Sequence, residues 1–212
     1  MASQHNAVSQ AERPVRTRRG GAAVEEAISD AVVAELAEVG FGRLTFEGVA
    51  ERAGTGKSPL YRRWPDTTSL VIDILEKLGP DPNGCQRTGR LRDDLIATTH
   101  YMTAAMEGVR LDAFRSLLGE AYRYPELQAR FRSQVLDPMF ETLSTVLREA
   151  ADRGEIAPER LTPPVLEVLH ALIIKRALLD SHELTEQDIA EMIDGVLLPL
   201  LLAGTVGPAA TD

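Results

Sequence analysis

Wherever apolar residues recur in this chain they do so at intervals of three and four, and no segment alternates them with polar residues over the length of a strand. A chain patterned this way can bury its apolar surface only by packing helix on helix. The fold class read from it is all-α, and the abundance of Ala, Leu, Glu and Arg beside few aromatics fits that reading. A length of 212 residues predicts one larger domain with a smaller companion.

Punctuation divides the chain into about nine helices. Residues 1–21 set Arg13, Arg16, Arg18 and Arg19 among polar residues and end on Gly20-Gly21, which reads as a flexible basic arm. Ala23, Ala27, Ile28, Ala31, Val32, Leu36 and Val39 form the stripe of a first helix that Gly40 closes. Thr45 then caps a short helix with Phe46, Val49 and Ala50 inward and Gly54 just past its end. Lys57 to Trp64 carries Leu60, Tyr61 and Trp64 at helical spacing and stops at Pro65. Asp66 or Thr67 opens a fourth helix along Leu70, Val71, Ile74, Leu75 and Leu78, broken by the Gly and Pro residues of 79–84.

Five more helical patterns follow at about 89–107, 111–123, 125–153, 163–181 and 185–203, the last opened by Thr185 with Asp188 in a capping box. Pro138 and Pro199 are expected to bend or end their segments, and Gly204 to stop the last one. The implied units are a helix-turn-helix domain at 22–80, a helical regulatory and dimerisation domain at 81–204, and a tail at 205–212.

Composition excludes several classes of function. The chain has no run of about 18 uncharged apolar residues and no apolar leader, so neither a membrane partner nor export is expected, and the cytoplasm is the expected compartment. Cys85 is the only cysteine, and His5, His100, His170 and His182 lack paired ligand spacing, so neither a metal nor a cofactor is expected. No nucleophile with a base, and no pair of carboxylates at working distance, marks the chain as an enzyme. The net charge of −9 argues against nucleic acid until it is located: up to Asp66 nine basic residues balance nine acidic ones, and the whole excess lies downstream.

Two short helices joined by a Gly-containing turn and braced by a longer helix make a helix-turn-helix, whose second helix lies in the major groove of DNA. Lys57, Ser58, Tyr61, Arg62 and Arg63 crowd the face of that helix opposite Leu60, and they are side chains that reach phosphates and base edges. Its first N–H groups also suit a phosphate. A P-loop reading of Gly54-Thr55-Gly56-Lys57-Ser58 fails, because Glu51 stands where the motif needs Gly and a helix stands where it needs a strand.

Through Gly40, Thr45, Phe46, Val49, Ala50, Ala53-Gly54, Gly56-Lys57, Leu60-Tyr61-Arg62-Arg63-Trp64-Pro65 and Leu70 the chain resembles the TetR family of bacterial repressors, in particular the branch whose recognition helix ends Tyr-Arg-Arg-Trp-Pro. The resemblance implies a homodimer on a palindromic operator, released by a small-molecule inducer bound in the C-terminal domain. Position by position it makes Thr45 and Tyr61 phosphate contacts, puts Lys57 at the opening of the recognition helix, and places Ser58, Pro59, Arg62 and Arg63 within reach of bases or backbone. Trp64 resembles the aromatic that wedges this helix against the next. Pro59 stands where Thr is commoner and Thr67 where Lys usually opens helix four, which shifts weight onto the arginine arm, itself open between DNA binding and plain disorder.

In the C-terminal part Met102, Met106, Phe114, Tyr122, Phe140 and His170 are the candidates to line an apolar pocket. The last two helices are apolar on more than one face, which suits packing against a second copy; Leu166, Leu169, Ile173, Leu197 and Leu201 are the candidate interface residues. The alternative function is a helical small-molecule-binding protein or enzyme that has lost DNA binding, a reading favoured by Thr67 and the acidic charge. An activator in place of a repressor also stays open.

Overall fold

The computed structural model describes residues 21–81, 83–179 and 184–203. The expected arm ahead of Gly21, the tail at 205–212, His5, His182 and Gly204 lie outside them. The nine helices that the spacing predicts are all present among the described residues, with ends that move by at most a few positions, and no strand accompanies them.

Helix α1 (Gly21–Val39) turns Ile28, Ala31, Val32 and Leu36 inward. It stops at Gly40, whose φ of +79° is left-handed and where a Cβ would also collide with the Glu120 carboxylate, so only glycine serves there. A 3₁₀ turn (Phe41–Arg43) leads to α2 (Phe46–Arg52), α3 (Lys57–Arg63) and α4 (Thr67–Leu78). Asp66 is the residue that caps α4, its carboxylate accepting the Ser69 N–H at 2.6 Å. Then come α5 (Leu91–Ala104) and α6 (Val109–Ala121).

Helix α7 covers 125–152 as an α-helical start (Pro125–Phe131), a π-turn (Arg132–Leu136) and a long α-helical remainder (Asp137–Asp152). Helix α8 is Pro163–Leu179. Helix α9 covers 186–202 in the same three parts: Glu186–Met192, a π-turn at Ile193–Leu197, and Leu198–Leu202. The Thr185–Asp188 capping box opens it.

The two π-turns have one cause in the sequence. In α7 the inward residues Leu127, Phe131, Val135, Met139, Leu143 and Leu147 keep a stride of four, and in α9 so do Ile189, Ile193, Leu197 and Leu201. A regular α-helix gains about 40° of rotation at every such step and would carry the row off its face. One wider turn absorbs that drift. Pro138 and Pro199 each follow two residues after the π-turn. A proline brings no N–H and presses on the carbonyl four residues back, so the loosened turn accommodates it and the helix continues instead of ending.

The apolar interior forms two clusters. The first joins α1–α4 to Ala113, Phe114 and Leu117 of α6 and to Leu127, Phe131 and Val135 of α7. The second is built from α5, the later half of α7, α8 and α9. A division at residue 80 therefore follows a loop but cuts across the first cluster, because α6 and the start of α7 complete the core of the helix-turn-helix. The end of α6 is tied to it as well, with the Gly42 N–H donating to Glu120 Oε2 at 2.9 Å and Tyr124 set edge-on to Phe41. No helix among the described residues is long and apolar enough to cross a membrane.

Candidate nucleic-acid interface and ligand cavity

Helices α2 and α3 are locked at a fixed angle by local chemistry. The Thr45 hydroxyl accepts the Gly48 N–H at 3.1 Å and caps α2. At its far end the Thr55 N–H returns to the Ala50 carbonyl and the Gly54 N–H to that of Glu51, with Gly54 at φ +63°. This Schellman turn reverses the chain in three residues and aims α3 outward. Fully buried Leu60 and Trp64, 4% exposed, root α3 in the first core. The Trp64 indole N–H donates to Asp73 of α4 at 2.9 Å, so Trp64 is a brace between helices and is removed from the set of side chains free to meet DNA.

That leaves Lys57, Ser58, Tyr61, Arg62 and Arg63 on the solvent side of α3, with Pro59 half-buried beneath them. Tyr61 divides between the two roles open to it, its ring set edge-on to Phe46 at 4.6 Å while 54% of the residue stays exposed. Two carboxylates hold most of this cationic face. Glu47 Oε1 lies 3.1 Å from Lys57 Nζ and accepts the Tyr61 hydroxyl at 3.1 Å. The Lys57 bond, helped by its own backbone N–H and by Tyr61, keeps the Glu47 carboxyl below its ordinary pKa, and the same carboxylate pushes the Tyr61 phenol up.

Glu25 of α1 takes Arg63 at 2.6 Å and Lys77 at 3.0 Å, and these two cations hold its pKa down at about 2, Arg63 contributing most. The Arg63 guanidinium also lies over the Trp64 ring, 4.7 Å from its centre. Arg62 forms no ion pair among the described residues. Glu25, Glu47 and Asp73 were not marked by the sequence. Only Glu47 had a local signal, an acid in the first turn of the helix before one that opens on Lys.

Five of the six candidate pocket residues converge on one cavity of about 70 Å³: Met102, Met106, Phe114, Phe140 and His170 line it, together with Met139, Leu143, Ile173 and Glu107. Tyr122 does not, and is corrected: it stands past the end of α6, 64% exposed, with its hydroxyl taken by the Arg123 guanidinium. A second space of about 250 Å³ shares Met102 and Met139 with the first and reaches Leu75, Gly79 and Pro80 at the end of α4.

The candidate interface set is also redistributed. Leu169, Leu197 and Leu201 are buried inside the protomer, Ile173 turns to the cavity, and Leu166 is half-buried against the second core. The π-turn of α9 accounts for Leu197 and Leu201, which it rotates inward while Val196, Leu200 and Leu202 stay exposed; exposed Leu179 lies at the other end of the helix pair, where Arg176 meets Asp188.

Comparison with known proteins agrees with this architecture along its length. Residues 28–74 match the family described as bacterial regulatory proteins, tetR family, and residues 85–196 match the tetracyclin repressor-like C-terminal domain. A helix-turn-helix-type transcriptional regulator of Mycobacterium tuberculosis is 30% identical over 174 residues, 80% of this chain and 84% of the relative. The DNA-binding transcriptional repressor TetR of Mycobacteroides abscessus is 27% identical over 166 residues, covering 78% of this chain and 87% of the relative. Among solved structures, a TetR-family regulator from a Rhodococcus species superposes with a TM-score of 0.66 at 20% identity, over 85% of this chain and 99% of that one. GusR of Salmonella enterica superposes at 0.64 with 16% identity, over 88% and 99%. The chain belongs to the TetR family and is a helix-turn-helix transcriptional regulator.

Proposed function

We propose that this regulator is a homodimeric repressor that reads a roughly palindromic operator and leaves it when a small molecule enters the C-terminal cavity. The carrying observation is α3 itself: a helix rooted by Leu60 and Trp64 that shows Lys57, Ser58, Tyr61 and Arg62 to solvent. Lys57, Arg62 and Arg63 suit phosphates and base edges, and Tyr61 and Thr45 suit phosphates. The Tyr61–Pro65 ending assigns the chain to the family branch that carries it. Gly21 lines a groove with Pro59, Arg62 and Arg63 beside the recognition helix. The residues Arg13 to Arg19 suit phosphate or minor-groove contact.

The exposed residues Val196, Leu200 and Leu202 of α9 mark the face through which two copies pair, setting their α3 helices about 34–36 Å apart, one turn of DNA. Regulation of this kind acts on DNA in the cytoplasm and needs no catalysis. The test is a gel shift on the DNA upstream of the protein's own gene. A band that weakens steeply with salt and vanishes in the Arg62→Ala, Arg63→Ala double variant is expected; unchanged binding by that variant refutes the assignment. In sedimentation, Leu200→Glu should convert dimer to monomer.

A further inference from the structure

His170 sits on α8, 6% exposed, with its ring packed on Phe140 at a centroid distance of 4.3 Å. Its Nε2 is buried and has no hydrogen-bond partner among the described residues, and the residue lines the apolar cavity. The carbonyl of Leu166, one turn earlier, bonds the ring and favours an N–H there, on the nitrogen opposite Nε2. Burial in an apolar surround holds the imidazole neutral at physiological pH, its pKa lowered to about 4. Nε2 is therefore a fixed acceptor on the wall of an apolar cavity, and a ligand that brings a donor satisfies it.

The walls narrow the choice of ligand. Met102, Met106 and Met139 offer movable sulfur-bearing side chains, which favour contact with rings and which, by shifting, join the cavity to the space behind Met102 and Met139. Among the described residues no Lys or Arg lines the cavity, and the one carboxylate that does, Glu107, is exposed and opposes an anion. The other polar side chain on the wall, Thr103, spends its hydroxyl proton on the Thr99 carbonyl at 2.9 Å. A buried cation against a neutral imidazole lacks a counter-charge and is disfavoured.

We infer that the cavity takes an uncharged, ring-bearing ligand whose hydroxyl donates its hydrogen bond to Nε2 of His170. The inference rests on reading this cavity as the effector site.

Titration calorimetry with β-naphthol, its methyl ether and β-naphthoate separates the possibilities, since the three share rings and differ in donor and charge. The expected result is β-naphthol bound roughly tenfold more tightly than the ether, naphthoate weakest, and the preference for the hydroxyl abolished in His170→Leu. Should His170→Leu fold poorly, His170→Phe keeps a ring against Phe140 without the acceptor, and the comparison of ligands on the unaltered protein stands without either variant. Equal affinity for naphthol and ether, tightest binding of naphthoate, or a hydroxyl preference that survives loss of the imidazole overturns the inference and leaves the cavity as a ligand site. Binding of none of the three overturns both.

Discussion

The recognition helix and the cavity treat their polar groups in opposite ways. On α3, Lys57, Tyr61 and Arg63 are already held by Glu47 and Glu25 before any DNA is present. In the cavity, His170 Nε2 is engaged by none of the described residues. On the proposed reading, DNA binding through α3 is an exchange, in which phosphates displace internal carboxylates, whereas a ligand at His170 meets an acceptor with no such competitor. The first costs affinity and lessens the salt dependence; the second is a gain to a molecule of the right chemistry.

The largest effect should come from the packing that surrounds the helix-turn-helix. Leu117 of α6 is fully buried in the first core, so Leu117→Ala should cost about 2–5 kcal/mol in urea unfolding and lower DNA binding along the same transition. If DNA binding and the helical signal are lost in two separate steps, α6 does not share a core with the DNA-binding unit.

Next comes His170. An unfolded histidine takes up a proton as pH falls through about 6.5, whereas His170 in the folded chain resists until about 4. Stability should therefore fall across that window, by at most about 3 kcal/mol from this group, and level off below it. His170→Leu should remove that fall and raise stability at neutral pH; a thermal-melt series from pH 7 to 4 that is the same for both proteins would show that the ring is not buried neutral. Glu25 acts in a different window, present as a stabiliser above the ordinary carboxylate range and lost only as pH falls toward about 2.

A smaller effect is expected from the pairing on α3. Glu47→Gln frees Lys57 and Tyr61 and removes a negative charge beside the operator, so DNA affinity should rise about two- to fivefold with a steeper salt slope. Weaker binding would mean that Glu47 positions Lys57 instead of competing for it. Tyr122→Ala should be the mildest, leaving affinity for β-naphthol unchanged in the same calorimetry.

The parts that the sequence made legible are those specified by neighbours. Thr45, Gly54, Asp66 and the Thr185–Asp188 box act within a turn of themselves, and each does in space what its spacing predicts. The acids that face α3 were not legible because Glu25 meets Arg63 across 38 positions of chain, and nothing local marks it. Five pocket residues were legible as soft apolar groups on middle helices, while Tyr122 has the same chemistry and falls outside because α6 has already ended. Leu197 and Leu201, expected at an interface, are buried within the protomer because the widened turn at 193–197 keeps them on the inner row, which a regular periodicity does not reveal.

That last point reaches beyond assignment. Because α9 keeps its core row by one widened turn, the identity of its outer face is set by how many residues precede each side chain rather than by which residues they are. Deleting a single residue from 193–197 while the widened turn persists would turn everything after it by about 100°, carrying Leu201 out and Leu202 inward. If two copies pair through this face as proposed, such a one-codon change of length would alter the pairing surface while leaving the composition almost unchanged.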